Sequence, residues 1–231
     1  MAPDPRQISV VQRLLRDSQG PFVPKPRLTA IDELIATVLS QATSDRNSER
    51  AFAELKDAFA CWDEVLAAPV AKVADAIRSG GIADQKARRI QLILAEIQAR
   101  EGRIDLRRLD ELDDAAIEEY LTSLPGVGPK TAACVLVFAM GRPAFPVDTH
   151  VHRIVTRLGW LPPGTTAERA HRVLSSAVPP DLRYDLHIAL IVHGRTVCMA
   201  RNPRCGTCVL RSRCPHAAKS QRRPGMPRSP R

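Results

Sequence analysis

The segment from Leu124 to Thr131 constrains the fold most, because it is a tight turn between two helical patterns. Its sequence, LPGVGPKT, contains two glycines and two prolines. Apolar residues recur at helical spacing before it, and the chain after it is almost wholly apolar through Met140. Glycine permits positive φ and a close approach of another backbone, and proline suits the first turn of a helix. The segment therefore predicts a helix, a tight hairpin and a second helix.

This glycine hairpin, residues 124–131, has two functional interpretations. Its outward backbone N–H groups and the start of the second helix would form an anion site, most simply for a phosphate, with Lys130 at its mouth. The alternative is an ordinary helix–helix turn with a surface lysine. The hairpin alone does not decide between them.

Composition and periodicity favour an all-α protein. The chain has 231 residues but only five Phe, two Tyr and two Trp, and it lacks the sustained apolar–polar alternation of strands. This length allows one large or two small domains with a real core. Residues 21–26 are too rich in proline for a helix and predict an extended crossing. One apolar face of a long helix is expected at Ala87, Ile90, Leu94 and Ile97.

Several hydroxyl and acidic residues stand where helices are expected to begin. Such side chains accept hydrogen bonds from the first free N–H groups of a helix. The expected starts are Thr29, Asp63, Asp84, Asp148, Thr165 or Thr166, and Asp181.

Positive charge is concentrated at the C-terminal end of the chain. The formal net charge is +9, and the segment after Asp185 holds ten Lys or Arg residues and no Asp or Glu. A basic segment on a nearly neutral body indicates a polyanionic partner. Part of this charge lies in the tail, residues 217–231, which we expect to be disordered.

The N-terminal sequence does not resemble a secretory signal, because no apolar run follows a basic start. No stretch of the sequence is apolar over the roughly 18 residues that a membrane span needs. We therefore expect a cytoplasmic protein, associated with the nucleoid if it is bacterial, with reduced thiols and no membrane partner.

Four cysteines lie within seventeen residues, in the spacing C-x6-C-x2-C-x5-C, and predict a metal centre. Zinc usually takes two cysteine pairs separated by a longer knuckle, whereas one compact and unequal loop suits a cubane cluster better. Zinc remains the alternative. The expected ligands are Cys198, Cys205, Cys208 and Cys214.

The other cysteines and the charges of this loop have separate interpretations. Cys61 and Cys134 are isolated on apolar stretches and are expected to be inert core residues. Some arginines of the cysteine loop would balance a negative cluster. Arg201 and Arg204, in its six-residue segment, could contact a DNA backbone.

Taken together, these segments resemble the endonuclease III family of helix-hairpin-helix DNA glycosylases. The glycine hairpin, the run VDTHVHR at 147–153, HGR at 193–195 and the cysteine loop follow the family's order and spacing. The similarity extends from about Leu28 to Cys214. It implies an all-α, two-domain fold with DNA bound in the cleft. A six-helix barrel would span 28–145, and a domain holding a 4Fe–4S cluster would combine 1–27 with 146–216.

The resemblance also implies site residues. The family's nucleophile maps to Lys130, which would form a Schiff base with the sugar, and its essential aspartate maps to Asp148, which would assist proton transfer and stabilise the sugar cation. Asp45 matches an acidic residue near the family's pocket and is a secondary candidate. The hairpin residues expected to contact DNA are Leu124, Gly126, Val127, Gly128 and Thr131.

Extruding a base leaves a gap in the duplex that family members fill with side chains. Ile82 matches the apolar wedge. The match at the glutamine is offset, because family members often have SAQATD where this chain has SQATSD at 40–45. Gln41 is therefore one position early, and Ala42 takes the wedge place. Either Gln41 reaches in from the neighbouring position, or the plug is smaller.

The leading hypothesis is a monomeric, bifunctional DNA glycosylase and AP lyase that acts on oxidised pyrimidines, such as thymine glycol, or on abasic sites in duplex DNA. A monofunctional adenine or mismatch glycosylase would lack the lysine and carry a catalytic Glu on the second helix, where this chain has Thr37. A non-catalytic DNA-binding iron–sulfur protein would need neither Lys130 nor Asp148.

Overall fold

A computed structural model describes residues 3–20, 22 and 27–221, and these residues form helices and no strand. The prediction of an all-α protein is therefore confirmed. Most of the expected crossing at 21–26 and the tail after Gln221 lie outside the described residues. The chain divides into two compact units: Lys25–Ala144, the middle unit, and Met1–Pro24 with Phe145–Arg231, the terminal unit.

Twelve α-helices, α1 to α12, are present in the described part of the chain. Their bounds in chain order are Pro5–Gln19, Ala30–Ser40, Asp45–Ala58, Trp62–Ala67, Val70–Ala76, Ala83–Glu101, Asp114–Thr122, Pro129–Cys134, Thr149–Arg157, Ala167–Ala177, Arg183–Thr196 and Pro215–Gln221. Helix α8 continues directly into a π-helical turn over Val135–Ala139.

Three of the expected helix starts are confirmed by the hydrogen bonds of their caps. The side chain of Thr29 accepts from the N–H of Asp32 at the start of α2. Asp148 caps α9, and Thr166, one of the two candidates, caps α10. In each case a short polar side chain satisfies an N–H that has no partner within the helix.

The other three expected starts are wrong by one to two residues. Asp63 lies inside the first turn of α4, whose cap is Cys61, and Asp84 lies inside the first turn of α6, whose cap is Ile82. Asp181 belongs to a 3₁₀ turn that precedes α11. An acidic residue is also favoured within the first turn by the positive end of the helix, so its presence does not fix the starting residue.

The middle unit packs its helices around one apolar core. The predicted inner face of α6 is confirmed, since Ala87, Ile90, Leu94 and Ile97 are fully buried. The glycine hairpin, between α7 and α8, contributes Leu124 and Val127 to the same core. The hairpin is therefore anchored by its apolar residues, and its glycines are left near the surface.

The terminal unit has a core of its own, built by α1, α9, α10 and α11. Ile8 and Leu15 of α1 enter it from the N-terminal end, and Leu210 enters it from the cysteine loop. The cysteine loop is therefore held against a packed helical surface.

Two sequence predictions outside the helices need correction. Cys134 is buried as expected, but Cys61 is exposed, because it precedes α4 and its side chain does not face the core. The tail was expected to be disordered from Ala217, yet α12 continues through that position to Gln221, and Ala217 itself is buried. Among the described residues, no helix has the length and apolar character needed to cross a membrane.

Candidate functional site

The two glycines of the hairpin are used differently. Gly126 has a φ of 71°, in the left-handed region that favours glycine, and it lies between Leu124 and Val127, whose backbones are joined by a 3.1 Å hydrogen bond. Gly128 was also expected to be free to adopt positive φ, but its φ is −103°, and it caps α8. A Cβ atom at Gly128 would meet nothing within 4 Å. The backbone conformation therefore favours glycine at the first position, whereas the second faces open space.

Lys130 lies in the first turn of α8, directly after Pro129, which takes the first helical position as predicted. Its side chain is half-buried, whereas Thr131 beside it is buried. In the hairpin and this first turn, no acceptor within the described residues is recorded for the backbone N–H groups of Gly126, Gly128 and Lys130. The hairpin thus presents donors and a lysine on the same short segment.

A carboxylate that was not predicted from the sequence lies within electrostatic reach of Lys130. Glu33, in the first turn of α2, accepts a 3.1 Å hydrogen bond from the Thr37 hydroxyl. Burial raises the pKa of Glu33, while the Thr37 hydrogen bond and the charge of Lys130 oppose that rise. In the sequence Glu33 looked like an ordinary first-turn acid, which the helix end favours. Thr37 occupies the position at which a monofunctional enzyme would carry its catalytic Glu. In this structure Glu33, one turn earlier on the same helix, places a carboxylate beside Thr37.

Gln41 caps the C-terminal end of α2, and its side chain is held by Arg89 of α6. The Gln41 Oε1 atom accepts a 2.8 Å hydrogen bond from Arg89 Nη1. Arg89 also covers the hairpin, since a Cβ atom at Gly126 would lie 2.5 Å from Arg89 Nε. Arg89 therefore connects Gln41 to the glycine hairpin, a link that helical periodicity could not reveal. Ala42, the alternative plug, is exposed, with a φ of 53°.

Ile82 combines exposure with an unfavourable backbone conformation. Its side chain is 56% exposed and its φ is 42°, in the left-handed region. This conformation is a genuine outlier for a β-branched residue and costs about 1–3 kcal/mol. Neither property helps folding. Asp45, the secondary candidate, is the exposed first residue of α3.

Asp148 belongs to the terminal unit, whereas Lys130 belongs to the middle unit. One carboxylate oxygen of Asp148, Oδ1, accepts a 2.7 Å hydrogen bond from the N–H of Val151. The side chain is half-buried. This cap orients the carboxylate at the start of α9.

The four predicted cysteine ligands line one hollow of about 350 Å³, part of it open to solvent. Burial raises the pKa of the Cys208 thiol, and the charges of the other three thiols raise it further, while a backbone hydrogen bond opposes the rise. The four thiols therefore lie within electrostatic reach of one another. No three His, Cys, Asp or Glu side chains in the described ranges are grouped to hold a single metal ion. A cubane takes one thiolate on each of four irons, so its ligands need not approach so closely. The donor set fits such a cluster.

Two arginines of α9 bind the start of the cysteine loop. Arg157 Nη1 donates to Cys198 Sγ at 3.2 Å and to Met199 O at 2.8 Å. Arg153 donates to Cys198 O at 3.0 Å and to Gly194 O at 2.9 Å. These charges lie beside the cluster ligands, and the sequence analysis assigned them no such role. Since Asp148 starts the same helix, α9 links that carboxylate to the cysteine loop.

His193 and Gly194 of the HGR motif support the same region. His193 is buried, its Nε2 lies 3.5 Å from Cys208 Sγ, and burial lowers its pKa to about 4. A Cβ atom at Gly194 would lie 2.7 Å from His150 Nδ1, which explains the glycine. Arg201 and Arg204 are exposed on the cysteine loop, where a partner could reach them.

Comparisons with known proteins agree with this geometry. The profile of the HhH-GPD superfamily of base excision DNA repair proteins matches residues 35–180, and that of the iron–sulfur binding domain of endonuclease III matches residues 198–214. The chain is 38% identical over 181 residues to endonuclease III of Thermotoga maritima, covering 78% of this chain and 80% of that protein. It is 31% identical over 215 residues to endonuclease III of Escherichia coli, covering 93% and 97%.

Two further similarities concern a plant protein and a solved complex. A protein of Arabidopsis thaliana named as a DNA glycosylase is 41% identical over 167 residues, which span 72% of this chain and 57% of that protein. The structure of a non-covalent endonuclease III–DNA complex is 28% identical and superposes with a TM-score of 0.82, over 96% of this chain and 100% of that one. The chain therefore belongs to the endonuclease III family of HhH-GPD base excision repair proteins, as a DNA-binding glycosylase that carries a 4Fe–4S cluster.

Proposed function

We propose that the protein is a bifunctional DNA glycosylase and AP lyase that removes oxidised pyrimidines, such as thymine glycol, from duplex DNA. The observation that carries this proposal is Lys130, a half-buried lysine that follows a hairpin with free N–H donors and lies within electrostatic reach of Glu33. The protein's partner is duplex DNA with a damaged base or an abasic site, and the protein acts on this DNA as a monomer.

Lys130 acts as the nucleophile. Its neutral amine attacks C1′ of the damaged nucleoside, the bond to the base breaks, and the base leaves with a proton. The sugar ring opens to a Schiff base on Lys130. Loss of a C2′ proton then breaks the C3′–O bond and nicks the strand on the 3′ side of the lesion.

Glu33 is suited to receive the proton that Lys130 must lose before attack. Because burial raises the pKa of Glu33, its carboxylate is a stronger base than an exposed one would be. The Thr37 hydroxyl fixes that carboxylate. Glu33 thus prepares the nucleophile without replacing it.

Asp148 takes the role of the family's essential aspartate. Its negative charge stabilises the sugar cation that develops as the base leaves, and the Val151 N–H bond to Oδ1 fixes the orientation of the group. Support for covalent chemistry comes from a relative: a solved structure with a TM-score of 0.81 and 28% identity is titled as a trapped endonuclease III–DNA covalent intermediate.

Residues on four loops bind the duplex. The N–H groups of Gly126 and Gly128 contact a phosphate, with Leu124, Val127 and Thr131 shaping the hairpin. A second contact to the DNA backbone comes from Arg201 and Arg204. Gln41, held by Arg89, and Ile82 fill the gap left by the extruded nucleotide.

The 4Fe–4S cluster, when bound, fixes the fold of the cysteine loop. The residues that would hold it are Cys198, Cys205, Cys208 and Cys214. Arg157 balances its negative charge through the hydrogen bond to Cys198 Sγ.

Borohydride trapping on a duplex with one thymine glycol or one abasic site tests the proposal. The wild-type protein should form a covalent adduct, Lys130→Ala should form none, and Lys72→Ala, which changes a lysine of α5, should behave as wild type. Absence of a wild-type adduct would refute the lyase step. An adduct that persists in Lys130→Ala would place the nucleophile elsewhere.

A monofunctional glycosylase is the second candidate, and Glu33 is the observation that favours it. A carboxylate on the second helix, hydrogen-bonded to Thr37, could protonate a departing base without any lysine chemistry. Base release without an adduct on a panel of single-lesion duplexes, lost in Glu33→Gln, would favour this candidate. Tight DNA binding with no base release would indicate a non-catalytic DNA-binding protein.

A further inference from the structure

Lys86 of α6 is a buried lysine that the proposed chemistry does not use. Its side chain is 2% exposed. The ammonium donates three hydrogen bonds, to Leu39 O at 2.6 Å, to Thr43 Oγ1 at 2.6 Å and to Gly80 O at 2.8 Å. All three of its donors are therefore used.

The three acceptors lie in, or directly next to, the two loops that carry the candidate gap-filling residues, since Leu39 is in the last turn of α2. Leu39 and Thr43 stand two residues before and two residues after Gln41, and Gly80 stands two residues before Ile82. Thr43 also joins the loops directly, since its hydroxyl donates to Gly80 O at 2.5 Å. One ammonium and one hydroxyl thus tie the turn after α2 to the turn before α6.

Both loops contain a residue in a conformation that needs support. Ala42 and Ile82 have φ values of 53° and 42°. Non-glycine residues remain in this region only where the surrounding structure holds them there. Thr43, one acceptor of Lys86, follows Ala42 directly, and Gly80, another, precedes Ile82 by two residues, so these bonds are well placed to give that support.

A lysine is an unfavourable choice for packing alone. Burial lowers the pKa of Lys86, which shows that its charge is poorly solvated, and its three acceptors are all neutral. An apolar side chain of similar length would avoid the cost of burying an ammonium. An apolar residue could not, however, donate the three hydrogen bonds that join the two loops.

We propose, on the basis of the function proposed above, that Lys86 is a positioning residue that holds Gln41 and Ile82 at a fixed separation before DNA arrives. The two side chains can then enter the gap together when the nucleotide leaves the stack. Arg89, one turn further along α6, fixes the amide of Gln41. Helix α6 is thus the common support of both gap-filling residues.

The test compares two duplexes of the same sequence, one undamaged and one with a central tetrahydrofuran abasic analogue that the lyase cannot cleave. Lys86→Met keeps the length of the side chain and removes its donors. The wild-type preference for the tetrahydrofuran duplex should fall about tenfold in this variant, since hydrogen bonds from a charged group are strong. Affinity for the undamaged duplex should change less than about twofold, because phosphate contacts dominate there.

Ile97→Ala is the matched control. Ile97 is fully buried on the same helix, and its truncation lowers stability without touching either loop. This variant should lose Tm and keep the full preference, which shows that a loss of stability in α6 does not by itself reduce the preference. Thr43→Val, which removes the bridging hydroxyl, should reduce the preference about threefold, and it carries the test if Lys86→Met does not fold.

A 2-aminopurine opposite the tetrahydrofuran supplies a spectroscopic readout of gap filling. Its fluorescence change on binding should be reduced in Lys86→Met and unaltered in Ile97→Ala. An unchanged preference in a folded Lys86→Met, or an equal loss in Ile97→Ala, would overturn the role of Lys86. If the wild type itself forms no borohydride adduct and shows no preference, the proposed function fails as well.

Discussion

The two proposed gap-filling loops of the middle unit and the cysteine loop of the terminal unit are stabilised by different means. The loops that carry Gln41 and Ile82 are tied by protein hydrogen bonds, chiefly from Lys86 and Arg89. The cysteine loop has two short 3₁₀ turns between α11 and α12, and four of its side chains face one hollow.

This difference matches what each region must do. On the proposal above, a gap-filling loop must be shaped before DNA arrives, and Lys86 and Arg89 supply that support from within the polypeptide. The cysteine loop is bonded by Arg153 and Arg157 and also carries the four cluster ligands, so its stability should depend in addition on iron. Substituting one residue in each region therefore tests whether the two regions depend on different interactions.

The largest effect is expected from Cys208→Ala. Loss of one thiolate should remove the cluster, abolish its visible absorption and destabilise the protein by more than about 3 kcal/mol, which corresponds to a fall in Tm of roughly 6–12 °C. Iron analysis and thermal unfolding measure both. Cys61→Ala, which changes an exposed cysteine of the middle unit, should have neither effect. Full iron content in Cys208→Ala would contradict the assignment of this ligand.

The two hairpin glycines should separate folding from DNA binding. Gly126→Ala should destabilise the protein by about 1–3 kcal/mol, because its φ is 71° and the new Cβ would meet Arg89. Gly128→Ala should change stability by less than about 0.5 kcal/mol, since its Cβ would point into open space. Its DNA affinity should nevertheless fall severalfold, because the methyl group would stand between the backbone and a phosphate. Equal DNA binding by Gly128→Ala and wild type would remove this hairpin position from the interface.

Glu33→Gln should alter how stability depends on pH. Burial raises the pKa of Glu33 above its usual 4.5, so the folded protein holds this proton more tightly than the unfolded chain. The stability that this provides at low pH is lost as pH rises through the raised pKa. Glu33→Gln should therefore melt higher than wild type near pH 8, by a difference on the order of 2 °C, and equally near pH 4. A constant difference at every pH would show that Glu33 is not the titrating group, and Glu111→Gln, which changes an exposed carboxylate, is the control.

The smallest effect is expected from the exposed arginines of the cysteine loop. Arg201→Ala and Arg204→Ala should each weaken binding to any duplex and reduce the slope of log affinity against log salt by about one. Arg50→Ala, at an exposed site in the middle unit, should leave the slope unchanged. Titrations at several salt concentrations measure this directly, and an unaltered slope in both variants would remove these arginines from the DNA interface.

The sequence was most informative where one residue type has one structural use. Helical spacing predicted the buried face of α6, and the cap at Asp148 followed from its place before an apolar helix. Asp63 and Asp84 were misjudged, because an acidic residue suits the cap and the first turn of a helix equally well. Spacing along the chain could not choose between those positions.

The glycine hairpin and the cysteine spacing were determined by the sequence itself, because both depend on residues close together in the chain. The contacts of Glu33, Lys86 and Arg89 were decided by the tertiary structure. Each of these side chains meets a group at least 43 positions away in the sequence. Glu33 lies within electrostatic reach of Lys130, Lys86 donates to Leu39 and Thr43, and Arg89 donates to Gln41. The sequence around a long charged side chain looks the same whether that side chain faces solvent or bonds to a loop. Only the tertiary structure distinguishes these two environments.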